Sequence, residues 1–237
     1  MAKISVIIPT YNRISTLPRA VDSVLDQTFT DLDLWIVDDG STDGTADWVQ
    51  NEILAQQREI TTHYLRSQNK GVSHARNLAL KASSGEWVAF LDSDDEWLPN
   101  KIAQQMIVAE QNPELKLLHG EEIWIRNGVR VNPMKKHQKS GGRIFDRCIK
   151  LCCISPSTAM VRREIFEEVG FFNEDFPVCE DYDMWLRICE KYEVGFVENP
   201  IIKKYGGHED QLSRKYITMD YYLIKPLSQF TPPSEIS

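Results

Sequence analysis

The first hundred residues alternate short apolar runs with amphipathic stretches, and polar connections separate them. Four short runs rich in β-branched or aromatic residues predict strands at 4–8, 32–37, 61–65 and 87–91. Apolar residues at helical spacing between these runs predict helices over 17–25, from about residue 45, and over 72–82. Strands and helices that alternate in this way favour a mostly parallel, doubly wound sheet.

Beyond residue 100 the alternation weakens. A helical pattern over 102–111 precedes strand-like segments at 115–118, 122–125 and 201–205, and Asn127-Gly128 is typical of a two-residue hairpin turn. The chain has 237 residues, which is enough for one large α/β domain with a sizeable core and, less readily, for two small domains.

Polar sequences follow the four predicted strands. They are Pro9-Thr10-Tyr11-Asn12, the DDGSTDG segment from Asp38, Asn69-Lys70-Gly71 and the DSDDE segment from Asp92. In a parallel sheet these segments meet at one rim, where ligands bind. Each segment taken alone also fits a turn or a helix cap, so Asp38 and Asp43 are open between ligand contact and bracing of the turn.

The DSDDE segment has the densest charge of these sequences. Its aspartates Asp92, Asp94 and Asp95 lie within four residues. Carboxylates so close together repel one another unless a hard divalent cation or a hydrogen-bond network offsets the repulsion.

Spacing excludes two other binding motifs. An EF-hand loop that starts at Asp39 would have Gln50 at its twelfth position, where calcium needs a bidentate Glu. A Rossmann dinucleotide site needs three glycines after the first strand, which is followed instead by Pro-Thr-Tyr-Asn-Arg. The pattern therefore favours neither calcium nor a nicotinamide cofactor.

Composition narrows the class of protein further. A formal net charge of −8 argues against general nucleic-acid binding. No apolar run reaches the roughly 18 residues of a membrane span, and polar residues interrupt the start too early for a signal peptide, so we expect a cytoplasmic protein. The five cysteines lack the spacing of a disulfide framework or a zinc site, which predicts buried free thiols.

Five segments together resemble the family 2 glycosyltransferases. They are SVIIPTYNR, WIVDDGSTDGT, NKGVSHARN, VAFLDSDDEWLP and CEDYDMWLR, and the resemblance extends roughly over 4–214. It implies the GT-A fold, an α/β fold with a Rossmann-like, mostly parallel central sheet, helices on both faces and a smaller acceptor-side subregion. It also implies a single domain with a nucleotide-binding half at 1–100 and an acceptor-binding half at 101–229; the tail at 230–237 is predicted to be disordered.

The resemblance assigns nucleotide binding to Pro9, Thr10, Tyr11, Asn12, Asp39, Lys70, Arg76, Asp92 and Ser93. The Tyr11 ring would lie against the base, and Asp39 would accept a hydrogen bond from the uracil N3–H, which selects a uridine nucleotide. Lys70 would supply positive charge to the diphosphate. Arg76 would do the same or would pair with an acid of the rim.

The metal and the catalytic residues also follow from the resemblance. Asp94 would coordinate Mg²⁺ or Mn²⁺, with Asp95 in a supporting role and His208 as a further ligand unless it is an ordinary surface histidine. Asp181 is the catalytic base and Glu180 orients the acceptor, while helix capping is the alternative for both. Asp183 is expected to point elsewhere.

The implied activity is metal-dependent, inverting transfer of one sugar from a UDP-sugar to an acceptor hydroxyl in cell-surface polysaccharide or glycolipid biosynthesis. Lys215 replaces the Trp of the QxxRW pattern of processive relatives, which favours a single transfer. The basic segment 134–143 is either a solvated loop or a lid or acceptor loop that meets an anionic lipid-linked acceptor. The implied partners are a nucleotide-sugar donor and a saccharide or lipid-linked acceptor, with peripheral contact to the inner face of the membrane. The alternatives are a non-catalytic nucleotide-sugar binding module and a nucleotidyltransferase, whose expected glycine- and lysine-rich first loop is absent.

Overall fold

The computed structural model describes residues 2–132, 134, 137–207 and 219–227. In chain order its elements are β1 (Ile4–Thr10), α1 (Leu17–Leu25), β2 (Leu32–Asp38), α2 (Thr45–Trp48), a π-helical segment (Val49–Leu54), β3 (Thr61–Arg66), α3 (Val72–Ala82), β4 (Trp87–Phe90), β5 (Glu96–Trp97), α4 (Lys101–Gln111), β6 (Leu117–Arg126), β7 (Val129–Val131), α5 (Phe145–Cys148), a 3₁₀ turn (Pro156–Thr158), β8 (Met160–Arg162), α6 (Ile165–Val169), α7 (Glu180–Lys191), β9 (Val194–Gly206) and α8 (Met219–Leu227).

The described strands form one sheet in the order β3-β2-β1-β4-β8-β6-β9-β5, and β7 pairs with the outer part of β6. Strands β1 to β4 are parallel to one another, and β6 is parallel to β9. Most of the residue pairs in the described sheet therefore belong to parallel strands. The short strand β8 lies antiparallel between β4 and β6. The prediction of a mostly parallel α/β sheet is confirmed, and the carboxyl ends of β1, β2 and β4 meet at one rim.

The sheet has a hydrophobic core on each face. Along β1, Ile4, Val6 and Ile8 point to the core that includes α1 and α4, whereas Ile7 points to the core that includes α3 and α7. The same alternation holds along β2 and β4. Side chains alternate between faces because successive Cβ atoms of a strand point in opposite directions, so helices must cover both sides.

The second half differs from prediction in its strand lengths. The segments predicted at 115–118 and 122–125 form one strand, β6, and 201–205 is the end of a long strand, β9. The pairing of β6 with β9 shifts register between Gly120 and Glu122. Such an irregularity interrupts the two-residue alternation of side chains on which strand prediction depends. The predicted hairpin is confirmed: Asn127 and Gly128 both have positive φ, 50° and 75°, as a type I′ turn requires.

Candidate active site

The loops after β1 and β2 are joined by hydrogen bonds. The Asn12 amide N–H donates to Ser41 Oγ (2.8 Å), and the Thr42 N–H donates to Asn12 Oδ1 (2.8 Å). The Asp39 N–H donates to the Thr10 carbonyl at 2.8 Å. Asn12 adopts φ 51°, a left-handed conformation that asparagine tolerates well. The two loops therefore form one continuous surface at the rim.

The predicted base-binding residues lie at the edge of this surface. Pro9 and Thr10 are buried at the end of β1, whereas Tyr11 is 44% exposed. A tyrosine ring with this exposure next to a polar rim is accessible to a planar ligand. Its contact with a nucleotide base stays a prediction.

Asp38 and Asp43 brace the second loop. The buried Asp38 carboxylate accepts hydrogen bonds from the Ser41 N–H (2.7 Å) and the Tyr64 hydroxyl (2.7 Å). Burial and the carboxylate of Asp38 together raise the pKa of Tyr64 above its usual value. Asp43 accepts from Thr45 and from the Ile14 N–H. Of the two roles left open for these aspartates, the structure shows bracing.

Asp39 joins β2 to the loop before α3. Its Oδ1 accepts from the Lys70 N–H (2.9 Å) and the Ser67 hydroxyl, and its Oδ2 accepts from the Gly71 N–H (2.7 Å). A carboxylate has about four acceptor positions, and these three hydrogen bonds leave roughly one of them open, on Oδ2. That position is sufficient for one donor such as the uracil N3–H. The Lys70 side chain is exposed at the rim.

Arg76 connects the two acid clusters. Its side chain is 2% exposed, Nη1 donates to Glu180 Oε1 at 2.6 Å, and Nη2 donates to Asp92 Oδ1 at 2.8 Å. Burial alone would lower the pKa of Arg76, but Asp92, Glu180 and Asp181 raise it. Pairing with an acid of the rim, one of the two roles predicted for Arg76, is therefore present; contact with a nucleotide stays a prediction.

The DSDDE segment divides into exposed and buried carboxylates. The Asp92 side chain is 33% exposed and Asp94 is partly exposed. Asp95 is buried, and it accepts from the Ser157 hydroxyl (2.6 Å) and the Tyr205 N–H (2.9 Å). Burial, followed by the charges of Asp94 and Asp92, raises the pKa of Asp95 well above its usual range. Asp95 thus supports the loop.

The rim offers carboxylate oxygens to a divalent metal. Among the described residues, no group of three or more His, Cys, Asp or Glu is arranged to hold a metal ion. Mg²⁺ in nucleotide sites usually takes one or two carboxylates together with substrate phosphates, and the partly exposed Asp92 and Asp94 fit that donor set. Ser93 is buried between them. His208, the other predicted ligand, lies outside the described residues.

Helix α7 begins with the two predicted catalytic carboxylates. Glu180 is buried against Arg76, while Asp181 is partly exposed and accepts from the Tyr182 N–H at 2.8 Å. Burial raises the pKa of Asp181, and Asp92 adds to this effect, although Arg76 opposes it. A carboxylate with a raised pKa is better suited to accept a proton near neutral pH.

The residues that flank these carboxylates fix their direction. Cys179, immediately before the helix, has φ 61°, which is uncommon for a residue other than glycine and is held in place by the surrounding packing. Asp183 is buried and paired with Arg187 (2.7 Å), which also donates to the Phe171 carbonyl. The prediction that Asp183 points away from the site agrees with this contact.

Some residues near the site were missed by the sequence reasoning. Ser157 accepts from the Asp92 N–H (3.1 Å) and donates to Asp95, so it positions both aspartates. A cavity of about 190 Å³ lies near the start of α7, and Lys204 and Cys152 are among its lining residues. Cys152 Sγ is 3.9 Å from Asp181 Oδ2. Ser157 is more than 60 positions from the aspartates it contacts, so no local spacing signals its role.

The fold is that of an α/β protein, and the candidate site lies at the carboxyl ends of parallel strands, where such sheets bind ligands. Residues 5–170 match the family model described as glycosyl transferase family 2. An Escherichia coli relative, WfgD, is named UDP-Glc:alpha-D-GlcNAc-diphosphoundecaprenol beta-1,3-glucosyltransferase; it is 31% identical over 89% of this chain and 79% of its own length. The chain therefore belongs to glycosyl transferase family 2.

Two solved structures show the same fold. Staphylococcus aureus TarS 1–349 in complex with UDP-GlcNAc has a TM-score of 0.78 and 21% identity, over 96% of this chain and 66% of that one. The Pyrobaculum calidifontis mannosyltransferase PcManGT, in complex with GDP-Man and Mn²⁺, has a TM-score of 0.72 and 18% identity, over 98% and 66%. The GT-A fold expected from the sequence is confirmed.

The share of a relative's length that this chain covers differs from one relative to another. The chain spans between 28% and 35% of the length of three Rickettsia glycosyltransferases to which it is 31% to 33% identical. In the part of the chain that the structure describes, no helix is long and apolar enough to cross a membrane.

Proposed function

We propose that this chain is a metal-dependent, inverting glycosyltransferase that moves one sugar from a UDP-sugar to a hydroxyl of a saccharide or lipid-linked acceptor. The observation that carries the proposal is the Arg76 bridge, because it holds donor-side Asp92 and acceptor-side Glu180 in one ionic network. The acceptor class is supported by WfgD, whose name specifies a diphosphoundecaprenol-linked sugar. The UDP donor is supported by the names of WfgD and TarS.

The nucleotide binds across the first two loops in this proposal. The exposed Tyr11 ring stacks on the base, and the remaining acceptor position of Asp39 receives the uracil N3–H. The exposed Lys70 ammonium lies where it reaches the diphosphate. PcManGT is described with a guanosine nucleotide, so base choice is the part of the proposal that depends most directly on Asp39.

Asp94 would hold Mg²⁺ or Mn²⁺, and Asp92 would bind the ribose or contact the metal through water. The metal would neutralise charge on the departing diphosphate. PcManGT is described with Mn²⁺, which supports this choice of metal. Arg76 keeps Asp92 oriented at the rim, because a carboxylate paired with a buried guanidinium has few alternative conformations.

Asp181 acts as the general base. It takes the proton of the acceptor hydroxyl while that oxygen forms a bond to the sugar C1 from the face opposite the diphosphate. The bond between C1 and the diphosphate oxygen breaks with its electron pair, UDP leaves, and the anomeric configuration inverts. Glu180, paired with Arg76, fixes the start of α7 and so the position of Asp181.

The remaining parts of the proposal concern organisation and location. Residues 1–100 form the nucleotide-binding half and 101–229 the acceptor-binding half of one domain. Transfer stops after one sugar, because Lys215 replaces the Trp of the QxxRW pattern. Lys215 and the tail at 230–237 lie outside the described residues. The protein works at the cytoplasmic face of the membrane, where a lipid-linked acceptor is available.

Product analysis tests the proposal. The protein is incubated with a panel of UDP-sugars, Mn²⁺ and a lipid-diphosphate saccharide, and the released nucleotide and the new glycan are identified. UDP release with an equal amount of transferred sugar, and inverted configuration by NMR, is the expected result. Tight donor binding without turnover would indicate a binding module instead, and release of pyrophosphate would indicate a nucleotidyltransferase.

A further inference from the structure

The acceptor-side cavity is next to the proposed base. Its volume is about 190 Å³, below the roughly 300–1,000 Å³ of pockets that enclose a drug-sized ligand, so it accommodates a single chemical group. Cys152 belongs to its lining and also lies 3.9 Å from Asp181 Oδ2. Lys204, another lining residue, directly precedes Tyr205, whose N–H binds Asp95. A group in this cavity therefore lies beside both acid clusters.

Two lysines from distant parts of the chain meet in this cavity. Lys204 Nζ donates to Ser155 Oγ at 2.9 Å, and Lys139 Nζ is 3.4 Å from the same oxygen. Lys139 is neutralised by Glu122, whose Oε2 lies 3.1 Å from its Nζ; both side chains are less than a tenth exposed. Although burial alone would raise the pKa of Glu122, Lys139 and Lys204 lower it to about 2, so Glu122 is ionised at neutral pH.

Two further cations of the lining, Arg147 and Lys204, do not form an ion pair of this kind within the described residues. Arg147 donates to the Ser140 hydroxyl (3.1 Å) and Lys204 to the Ser155 hydroxyl, and within the described ranges neither has a carboxylate at ion-pair distance. Burial would lower the pKa of Lys204, but Glu122, Asp95 and Asp92 raise it, so its charge is retained. Cations that contact hydroxyls in a partly enclosed space favour an anionic ligand.

We propose that this cavity binds an anionic group of the acceptor, a phosphate or a sugar carboxylate, through Lys204 and Arg147. This inference rests on the proposed glycosyl transfer, because it treats the group as part of the molecule whose hydroxyl reaches Asp181. The reacting hydroxyl of the acceptor lies on the Cys152 side of the cavity, next to Asp181. Glu122 forms an ion pair with Lys139 and so reduces the net positive charge of the cavity when no acceptor is bound.

A competition between matched acceptors tests the inference. Three acceptors with the same alkyl chain are compared with the preferred UDP-sugar: a saccharide linked through diphosphate, the uncharged alkyl glycoside of that saccharide, and the corresponding alkyl uronide. We expect a higher kcat/KM for one of the charged acceptors than for the uncharged one. Preference for the diphosphate identifies phosphate as the group, and preference for the uronide identifies a carboxylate.

Charge-removing variants locate the preference in the cavity. Arg147→Gln and Lys204→Gln should each reduce the ratio of charged to uncharged kcat/KM by about tenfold or more, since hydrogen bonds to charged groups are the stronger ones. Arg147→Lys should restore part of the ratio. Lys150→Gln, which removes an exposed cation three residues further along, should leave the ratio unchanged. Equal losses for charged and uncharged acceptors would overturn the inference, because they would indicate a structural role.

A binding measurement separates this inference from the proposed reaction. Titration calorimetry of the alkyl diphosphate saccharide and the alkyl uronide is done with saturating UDP, so that the donor site is blocked. Binding of one of them to the wild type that Arg147→Gln weakens supports the cavity site even if no transfer is detected. No binding of either compound at millimolar concentration would rule out the site, whereas transfer without charge preference would leave the proposed function intact and remove this inference alone.

Discussion

At the scale of single residues, the site depends on one buried cation between carboxylates. Arg76 uses two of its N–H groups on Asp92 and Glu180, and its charge also acts on Asp181. From the sequence, the rim acids could be placed because they follow predicted strands, whereas Glu180 and Asp181 were assigned through the family resemblance. The bridge between them could be given only as one of two alternatives, since Arg76 and Glu180 are 104 positions apart.

The raised pKa of Asp181 predicts a pH dependence. The base must be deprotonated to accept a proton, so activity is present above its folded pKa and is lost as pH falls through that value. Because burial raises this pKa, the acidic limb of kcat/KM should lie above the usual range of an aspartate. Asp181→Asn should lower kcat by roughly 10²–10⁴-fold.

Steady-state kinetics from pH 4 to 9 check this prediction, with Glu190→Gln as the control because Glu190 is exposed on the same helix. An unchanged kcat in folded Asp181→Asn would show that another residue is the base.

Removing the Arg76 charge should destabilise the protein strongly. Arg76→Met leaves Glu180 buried without its partner, which costs about 3–5 kcal/mol in comparable buried pairs. Urea unfolding at pH 7 measures the loss. Arg143→Met is the matched control: Arg143 and its partner Glu193 are both more than half exposed, so its effect should stay within about 1 kcal/mol. Similar losses in the two variants would show that burial does not set the strength of the Arg76 pair.

At the scale of helices and strands, the first half could be predicted from the sequence and the second half less well. Strands β1 to β4 are short apolar runs, and apolar residues at helical spacing separate them, so α3 was predicted with its observed ends. In contrast, β8 has three residues and pairs with β4 and β6 through contacts distant in sequence. The cavity that Lys204 lines is built from this second region. The sequence singled out the basic segment 134–143, which supplies Lys139 to the lining, but it did not place the other lining residues.

The hairpin between β6 and β7 gives a test at this scale. Gly128 has φ 75°, a left-handed conformation that costs an ordinary residue about 1–2 kcal/mol. Gly128→Ala should therefore lower the free energy of unfolding by about 1 kcal/mol, with the second-strand residue Val129, 65% exposed, changed to Ala as a control of small effect. Thermal unfolding of both variants measures the difference. If Gly128→Ala is as stable as the wild type, the turn differs from type I′.

At the scale of the whole molecule, donor and metal binding should appear as stability. A UDP-sugar at 100 times its Kd stabilises the folded state by about 2.7 kcal/mol if it does not bind the unfolded chain. We expect the melting temperature to rise with UDP-sugar and Mn²⁺ together, and to rise less after EDTA is added. Asp94→Asn should reduce the part of the shift that depends on Mn²⁺.

Asp26→Asn is a control with the same change of charge, because Asp26 is exposed at the C-terminal end of α1. A full shift with UDP-sugar in EDTA would contradict metal-dependent donor binding, and no shift with any UDP-sugar would contradict the uridine assignment of Asp39.

The Arg76 bridge also has an evolutionary consequence. A guanidinium enclosed by two carboxylates cannot be exchanged alone without leaving a buried charge unmatched, so the positions of Arg76, Asp92 and Glu180 are constrained as a set. Substitutions at these three sites should therefore co-vary among descendants of a common ancestor. Tyr11 and Lys70 are exposed, so the limit on these two positions comes from the nucleotide that they are proposed to bind and not from a buried ion pair.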